Sequence, residues 1–538
     1  MEPYSLSFTR LTLDDAAGGP AFAEVADLNG DGKLDLVVSK FGVIQMPDLP
    51  MGQVTIYYQG ESLNEWTAEP LFGDTIGIYW PNDITLEDLD DDGDLDAIVG
   101  AGFLACEFVP AVGPCGGLFW FENTSSGWVQ HDIISTGSEL FYHRGVLADL
   151  DGDGIEDLIA VGERRPAPAS GIAERAEAQW FKGTDDWKRF ESTPHVIADG
   201  LGGLPTVVDL TGDGLVDIAS AEFFAGKGAS FVWYEQRAAP SADNPAGLWE
   251  RHIIDDEVGP AIQLSFIDDL MGDGKPGVVG SVHTNTAKDP ADPWGSAVYR
   301  YEIPDNPRQP WLRTKISQHI LSVAGLPTSP QAAPGIFGWG DADGDADLDL
   351  LVSGDGDPRV YLLVQEAGDF QTWVLDEDMT QAGSMKIEDL DGDGKTEFVV
   401  SGYDANVIYI YTWDEEGTYP LGIAEPRETG VTPDEDLPQP GDLTVNIDYA
   451  GEESGDVIVA LFDSLPPAGP PSGFQMVTTD RFPVSVTFEA LEGGTYQALA
   501  FLDLEPFNMT MPDVTDPQVS SDPFKVDGEP ISISLTLE

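Results

Sequence analysis

Closely spaced aspartates that lead into an apolar segment recur along the chain. The copy DLDGDGIEDLIAV begins at Asp149, with three aspartates at alternate positions and Asp157 four residues after the last of them. Including this one, seven copies begin at Asp27, Asp88, Asp149, Asp209, Asp269, Asp341 and Asp389, with spacings of 61, 61, 60, 60, 72 and 48 residues. A regular period of this size is typical of a repeat architecture.

Calcium chemistry explains why carboxylates are placed so close together. Calcium takes six to eight oxygen ligands, and a short loop supplies them from alternate residues. In the third copy we expect side-chain oxygens from Asp149, Asp151, Asp153 and Asp157, and the main-chain carbonyl oxygen of Ile155. Gly154 permits the sharp turn that the loop needs. Without a cation the carboxylates would repel one another, so the spacing predicts a bound calcium ion.

The corresponding positions in five other copies complete the predicted ligand set. The seventh residue of each loop contributes its carbonyl oxygen, and the others contribute side chains. The residues are Asp27, Asn29, Asp31, Lys33 and Asp35; Asp88, Asp90, Asp92, Asp94 and Asp96; Asp209, Thr211, Asp213, Leu215 and Asp217; Asp341, Asp343, Asp345, Asp347 and Asp349; and Asp389, Asp391, Asp393, Lys395 and Glu397.

Two copies depart from the pattern. The fifth has Met271 and Gly277 at ligand positions, so we expect Asp269 and Asp273 to bind metal weakly or not at all. In the sixth, Ala346 replaces the turn glycine, which should strain the loop without removing a ligand.

The segments around the loops predict strands. An EF-hand loop needs a glutamate at its twelfth position and a helix after it, but residues such as Val38, Ala160 and Val400 stand there, within β-branched apolar runs. An isolated acidic loop could also be a solvated turn, but six well-formed copies in strand context favour metal binding. Each unit reads as four strands, so we predict an all-β fold with a seven-bladed propeller. SLSFTRLTLD should close the last blade, with TYPLGIA from Thr418 as the competing candidate.

The predicted domains are a propeller over residues 1–425, an acidic Pro-rich linker over 426–440 and a small β-sandwich over 441–538. The seven loops resemble the FG-GAP or VCBS repeats of bacterial surface proteins and of the integrin α-subunit propeller. The resemblance implies calcium in the hairpin loops of one face, and a role in adhesion, carbohydrate binding or, in some lyases, catalysis. The C-terminal segment resembles transthyretin-like or immunoglobulin-like modules.

The amino-acid composition limits the classes of binding partner that we expect. The net charge of -71, from 96 acidic and 25 basic residues, disfavours nucleic acid and anionic membranes. No apolar run reaches the roughly 20 residues that span a bilayer, and MEPYSLSFTR lacks the features of a signal peptide. Cys106 and Cys115 are expected to close a small disulfide loop, with two reduced thiols as the alternative. The predicted calcium sites and the predicted disulfide both favour an extracellular environment. We therefore expect a secreted or cell-surface protein.

The propeller mouth opposite the calcium loops is the predicted ligand site. His143, Arg144, Arg164 and Arg165 could meet an anionic group such as a uronate, or could simply offset nearby carboxylates. Trp80, Phe223 and Trp339 could stack on sugar rings or pack between blades.

The sequence favours a binding module for a polysaccharide or a surface protein. The alternative is a polysaccharide or sugar lyase, with His143 or His283 as the base beside an arginine such as Arg144 or Arg164. A purely structural module is the third class. The chain has no nucleophile elbow, HExxH, phosphate loop or CxxC motif, and His131, His195 and His252 belong to a recurring strand pattern that suggests a structural role.

Overall fold

The structure of the protein is a computed structural model. It describes residues 7–42, 51–72, 77–103, 105, 115–164, 175–185, 189–222, 229–283, 296–320, 333–366, 368–379, 382–413, 419–420, 422–424, 441–451, 453, 455–462, 473–479, 481–491, 494–503 and 516–537.

Seven antiparallel sheets follow one another, five with four strands and two with a short fifth strand at the outer edge, and we call them blades 1 to 7. Blades 1 to 3 consist of Pro20–Ala26, Asp35–Lys40, Gln53–Gln59 and Trp66–Pro70; Ile84–Glu87, Asp96–Ala101, Gly116–Thr124 and Gly127–Ser138; and Phe141–Ala148, Asp157–Arg164, Arg175–Phe181 and His195–Asp199. Blades 4 to 6 consist of Thr206–Val208, Asp217–Ala221, Phe231–Ala238 and Leu248–Asp255; Ala261–Ile267, Gly277–Val282, Val298–Glu302 and Leu312–Lys315; and Phe337–Gly340, Asp349–Ser353, Val360–Glu366 and Asp369–Asp376. Blade 7 consists of Ala382–Glu388, Glu397–Gly402, Val407–Trp413 and Ser7–Asp14.

The N-terminal strand completes the last blade, as the sequence predicts. Ser7–Asp14 pairs antiparallel with Val407–Trp413. The competing segment is divided between two blades: Tyr419–Pro420 pairs with the outer edge of Ser7–Asp14, and Gly422–Ile423 pairs with the fourth strand of blade 6. Both of these outer strands are only two residues long and cover an otherwise open sheet edge.

Blade 7 lies directly against blade 1. The hydroxyl of Ser384 donates to the carbonyl oxygen of Ala23 (3.1 Å), and that of Ser401 donates to the carbonyl oxygen of Ala21 (2.7 Å). Further along the same strands, Lys386 forms an ion pair with Glu24 at 2.7 Å. These contacts join the last blade to the first, as expected for a seven-bladed propeller.

The second strands are buried within the blades. In blades 1, 2 and 7 every residue of the second strand is buried. Apolar side chains of neighbouring blades pack into shared clusters; one of these includes Val37 and Ile56 of blade 1 with Val99 and Phe119 of blade 2. A strand that packs on both faces requires a continuous apolar run, which explains segments such as LDLVVS and LDAIVG.

Tyrosines link neighbouring blades through buried or partly buried aspartates. At three junctions, a third-strand tyrosine hydroxyl donates to an aspartate at the end of the preceding blade's fourth strand, over 2.5, 2.9 and 2.6 Å. A cation lies 4.0, 2.7 and 2.7 Å from the same three aspartates. The sets are Tyr57, Asp14 and Lys40; Tyr301, Asp255 and Arg313; and Tyr411, Asp376 and Arg10.

The C-terminal strands form a small two-sheet sandwich. Gly441–Tyr449 lies between Val484–Leu491 and Ile531–Leu537 and runs parallel to the latter. The second sheet contains Gly473–Thr479, Gly455–Phe462, Gly494–Asp503 and Gln518–Ser520, and Phe524–Val526 also pairs with Gly494–Asp503. Side chains of both sheets share one apolar core that includes Leu443, Val457 and Tyr496. The sandwich is as predicted, whereas the linker prediction (426–440) lies outside the described residues and the domain boundaries remain predictions.

Of the two cysteines predicted to form a disulfide, the structure describes Cys115. Cys115 is disulfide-bonded, in agreement with the expected closed loop. Cys106 lies outside the described residues.

Replacing Phe8 tests the closure of the ring. Phe8 is fully buried and packs against Phe398 and Trp413, with ring centroids 4.9 and 4.8 Å away. We expect Phe8→Ala to lower the free energy of unfolding by about 3–5 kcal/mol, because it opens a cavity in the core. Thr12→Ala, at an exposed position of the same strand, is the control and should change it by less than about 0.5 kcal/mol. Equal denaturant midpoints for both variants would contradict this role of the N-terminal strand.

Candidate functional site

Each acidic loop joins the first strand of a blade to the second and holds its carboxylates with its own backbone. In the third loop, Asp149 Oδ1 accepts hydrogen bonds from the amides of Gly152 (2.8 Å) and Asp153 (3.1 Å), and its Oδ2 accepts from Gly154 (2.9 Å). Asp153 Oδ1 accepts from the amide of Ile155 at 3.0 Å. Closely related bonds occur in the first and sixth loops. These short-range hydrogen bonds between loop residues therefore order the loop without a bound cation.

The ninth residue of each well-formed loop has a second role that the sequence analysis missed. Asp157 is fully buried; its Oδ2 accepts from the amide of Leu150 in the loop (3.0 Å) and its Oδ1 from the amide of Gly183 after the third strand (2.7 Å). Asp35, Asp96, Asp217 and Asp349 make the same pair of bonds. The sequence signal for this role was an acidic residue at the start of a strand predicted to be buried, because a buried carboxylate needs hydrogen-bond partners.

Burial shifts the titration of these ninth residues. Desolvation, with smaller contributions from neighbouring loop carboxylates, raises the pKa of Asp96, Asp157 and Asp217 to about 6, of Glu397 to about 7 and of Asp349 to about 8. Hydrogen bonds from backbone amides oppose the shift in the four aspartates and in Glu397. The loops thus disfavour their own negative charge unless a cation is added.

The loops fit a hard divalent cation. In four of them, three carboxylates bring one oxygen each within 4.8 Å of the others: Asp88, Asp90 and Asp92; Asp149, Asp151 and Asp157; Asp341, Asp343 and Asp349; and Asp389, Asp391 and Glu397. Two predicted ligand atoms, Thr211 Oγ1 and Asp389 Oδ1, are buried without a hydrogen-bond partner. Buried acceptors that lack a donor are expected where a metal ion is the missing partner.

The fifth loop differs in the way its sequence predicts. A Cβ added at Gly277 would lie 2.6 Å from the Cβ of Leu270 and 2.7 Å from its Cδ2. Leu270 is fully buried, so an apolar side chain crowds the position from which the ninth carboxylate would extend. Asp269 and Asp273 are left without the buried acid that completes the other loops.

The sixth loop contains the expected strain. Ala346 has a φ of 75°, in the left-handed region that costs a residue with a Cβ about 1–2 kcal/mol. Its amide still donates to Asp341 Oδ2 at 3.0 Å, as the glycine at this position does in the third loop. The loop keeps its shape at the expense of backbone strain.

A lysine occupies part of the third loop. The Lys182 ammonium contacts Asp151 and lies 2.6 Å from Asp153 Oδ2. Partial burial alone would lower the pKa of Lys182, but the hydrogen bonds and charges of the two aspartates raise it above its ordinary value. The hydrogen bond from Lys182 in turn lowers the pKa of Asp153. The sequence gives no local signal of this contact, because Lys182 lies 29 residues after Asp153.

At the opposite end of the second strands, His143 is already bonded through both ring nitrogens. Its Nε2 lies 2.8 Å from Glu163 Oε2 and its Nδ1 lies 3.0 Å from Asn82 Nδ2. All three side chains are buried. A general base needs a nitrogen that faces the substrate, so this geometry gives no support to His143 as a lyase base.

The cations around the mouth also meet carboxylates. Arg144 bonds to the buried Asp83, and Arg164 lies 3.5 Å from Glu139. On blade 4, Arg251 forms bonds of 2.8 Å to both oxygens of Glu222. Arg165 lies outside the described residues. The described arginines therefore follow the predicted charge-offsetting role and do not converge on one anion site.

Four other histidines have structural surroundings. His283 Nδ1 donates to the carbonyl oxygen of Pro334 at 2.9 Å, and its Nε2 lies 3.5 Å from Asp355 Oδ2. His131, His195 and His252 lie against tryptophans of the neighbouring third strands, with ring centroids 4.3, 5.0 and 4.4 Å apart. These contacts agree with the structural role expected for the last three.

Aromatic side chains form a connected group at the mouth, which we call the mouth aromatic cluster: Phe41, Trp80, Phe103 and Tyr403. Phe41 lies 5.6 Å from Trp80, 5.7 Å from Phe103 and 5.9 Å from Tyr403 between ring centroids. Phe103 also lies 5.3 Å from His143. Trp80 is buried and the other three are partly exposed. The rings come from blades 7, 1 and 2 and so form one continuous apolar surface.

The other two predicted stacking residues do not join this cluster. Trp339 lies in the first strand of blade 6, is 40% exposed and has Phe337 as its neighbour at 6.3 Å. Phe223 lies outside the described residues.

These features define a β-propeller with acidic hairpin loops on one face. Residues 27–99 match a family model described as an FG-GAP-like repeat; this span runs from the first acidic loop through the second. A solved structure of an α-L-arabinofuranosidase mutant from Fusarium graminearum, in complex with an iminosugar inhibitor, is similar with a TM-score of 0.37 and 11% identity, covering 76% of this chain and 98% of that one. Those values carry no argument about activity. A search of curated proteins found no match. Within the described ranges, no helix has the length and apolar character needed to cross a membrane.

The strain at Ala346 can be measured directly. We expect Ala346→Gly to raise the free energy of unfolding by about 1 kcal/mol, because glycine adopts a positive φ without steric cost. Gly394→Ala is the matched change at the same loop position of blade 7, where φ is 89° and an added Cβ would meet nothing within 4 Å; it should lower stability by a similar amount. Denaturant unfolding measures both, and a destabilised Ala346→Gly variant would contradict the strain.

Proposed function

We propose that the chain is a secreted or cell-surface, calcium-stabilised propeller that binds a polysaccharide or a protein partner at the mouth opposite its calcium loops. The mouth aromatic cluster is the observation that carries the proposal. It spans three blades, and three of its four rings are partly exposed. Aromatic rings at an exposed concave surface provide large apolar contact area with specific geometry, which suits sugar rings and protein hot spots alike.

The charge at the mouth favours a neutral ligand over a uronate. The described arginines there bond to Asp83, Glu139 and Glu222, and the chain as a whole carries a net charge of -71. An anionic polysaccharide would have to displace these carboxylates and approach a surface of the same sign. A neutral glycan needs only ring contacts and hydrogen bonds.

Calcium supplies stability in this proposal. The carboxylate groups, the two buried acceptors without a donor and the raised pKa values of the ninth residues all favour a divalent cation in the well-formed loops. Calcium would bridge the loop carboxylates and offset their repulsion. A sandwich related to transthyretin-like or immunoglobulin-like modules would serve as an accessory domain, as the sequence suggests.

A lyase remains the alternative from the sequence, but the structure adds nothing in its favour. His143 is bonded at both nitrogens and His283 faces a main-chain carbonyl and Asp355. Neither has a described arginine positioned to stabilise an enolate. One experiment distinguishes the binding function from the lyase function.

The binding proposal predicts glycan retention that depends on the mouth aromatic cluster. We expect Phe103→Ala and Tyr403→Ala each to weaken binding about tenfold, because a stacking ring contributes about 1 kcal/mol or more. Trp339→Ala is the control, since this exposed ring lies outside the cluster, and it should bind like the wild type. Glycan arrays identify the ligand and calorimetry measures its affinity.

Two results would count against binding at the mouth. One is equal loss of affinity in all three variants. The other is release of an unsaturated, ultraviolet-absorbing product from a uronic-acid polysaccharide, which would establish the lyase instead.

The calcium proposal predicts a site-specific response to chelation. A chelator should lower the melting temperature, because a site bound only in the folded state adds about 2.7 kcal/mol when calcium is a hundredfold above its Kd. Asp393→Asn should lower stability in calcium and change it little in chelator. Asp273→Asn, in the degenerate fifth loop, is the control and should have little effect in either condition. Equal losses from both substitutions in calcium would contradict our ranking of the loops.

A further inference from the structure

We infer that Lys182 is the built-in cation of the third loop and takes the place of calcium there. The inference rests on the proposed calcium chemistry of the other loops. The third loop, which has an aspartate at all four side-chain ligand positions, would then be ordered without calcium. The protein would bind one ion fewer than its well-formed loops predict.

The backbone fixes Lys182 beside the loop. In blade 3, Leu158 pairs with Phe181, so the next residue, Lys182, stands opposite Asp157. The amide of Gly183 donates to Asp157 Oδ1 at 2.7 Å, which anchors the chain on the other side of the lysine. Lys182 therefore extends from a rigid, doubly bonded segment and not from a mobile loop tip.

The ammonium contacts carboxylates that calcium would need. Lys182 Nζ bonds to Asp151 and lies 2.6 Å from Asp153 Oδ2, and these are the third and fifth residues of the loop. Its side chain is 31% exposed and that of Asp151 is 17% exposed. A calcium ion would have to break both ion pairs and then lie next to a displaced positive charge, so the two cations exclude each other.

The hairpin that carries Lys182 is itself folded onto the loop. The amide of Glu191 donates to the carbonyl oxygen of Lys182 at 2.9 Å, and Gly183 bridges to Phe190. Arg189 on the same hairpin donates to the carbonyl oxygens of Glu156 (3.1 Å) and Leu89 (2.6 Å). Blade 3 thus brings two basic side chains to this face, and the second one holds the hairpin in place.

The corresponding positions of the other well-formed blades hold no cation. The strand registers place Tyr58, Glu122, Glu235, Val364 and Thr412 opposite the ninth residues of loops 1, 2, 4, 6 and 7. The lysine is therefore specific to the third blade. In blade 4, Arg237 and Arg308 contact Glu235 itself, and no described ion pair joins a basic side chain to the acids of these five loops.

The test is calcium stoichiometry. Wild-type protein and the variant Lys182→Gln are stripped with chelator, titrated with calcium by calorimetry and analysed for bound calcium by elemental analysis. We expect Lys182→Gln to bind one more ion per chain than the wild type. Lys525→Gln is the charge-matched control: Lys525 forms an ion pair with Asp527 at 2.8 Å in the sandwich, outside the acidic loops, so this variant should bind the wild-type number.

A stability measurement guards against a misfolded variant. Lys182→Gln should lose stability in chelator and regain it in calcium, whereas Lys182→Arg, which keeps the cation, should resemble the wild type in both conditions. In the wild-type background, Asp153→Asn should lower the free energy of unfolding equally with and without calcium, because it removes the ion pair between Asp153 and the Lys182 ammonium.

The outcomes separate this inference from the proposed function. Equal stoichiometry of the wild type and Lys182→Gln overturns the role of Lys182, whatever the total number of ions. A wild type that binds no calcium overturns the proposed calcium loops; if Lys182→Gln then binds a single ion, the role of Lys182 still stands.

Discussion

A buried carboxylate at the start of the second strand is the constraint on which each well-formed blade depends. Its two oxygens accept one amide from the acidic loop and one donor from the end of the third strand, so a single side chain ties three segments of the blade together. Burying a charge is costly unless it is fully bonded and offset. The loop aspartates cannot offset it because they carry the same sign. In the proposed function, a cation bound at the loop would offset this charge and stabilise the blade.

Blade 5 shows what happens when this constraint is removed. With Gly277 at the ninth position there is no buried charge to satisfy, and Leu270 fills the space with an apolar side chain. The ninth acid and the ligand predicted at position 271 are both absent from this loop, so we expect it to need no cation. The fifth copy is thus a consistent alternative packing of the same hairpin.

The sequence predicted the repeat, the strand count, the strand that closes the ring and the two irregular loops, because these follow from local spacing and from the glycine or alanine at one turn position. It did not predict the contacts between segments far apart in the chain. The bonds of Asp157 to Gly183, of Tyr301 to Asp255 and of Lys182 to Asp153 depend on strand register and on neighbouring blades. The contacts of His143, a candidate base from the sequence alone, are of the same kind, because Asn82 and Glu163 lie 61 and 20 positions away in the chain.

The residue opposite the ninth acid sets the electrostatic character of each loop. In blade 3 it is Lys182, which neutralises the loop internally. In blade 2 it is Glu122. Desolvation and the charge of Asp92 raise the pKa of Asp90, and the charge of Glu122 raises it further. In blades 1, 6 and 7 the residue at this position is uncharged. Because the attraction of a divalent ion grows with the negative charge around it, we expect loops with the same motif to differ in calcium affinity, with blade 2 more favourable than blade 3. A register position outside the motif would then contribute to how each copy of the motif behaves.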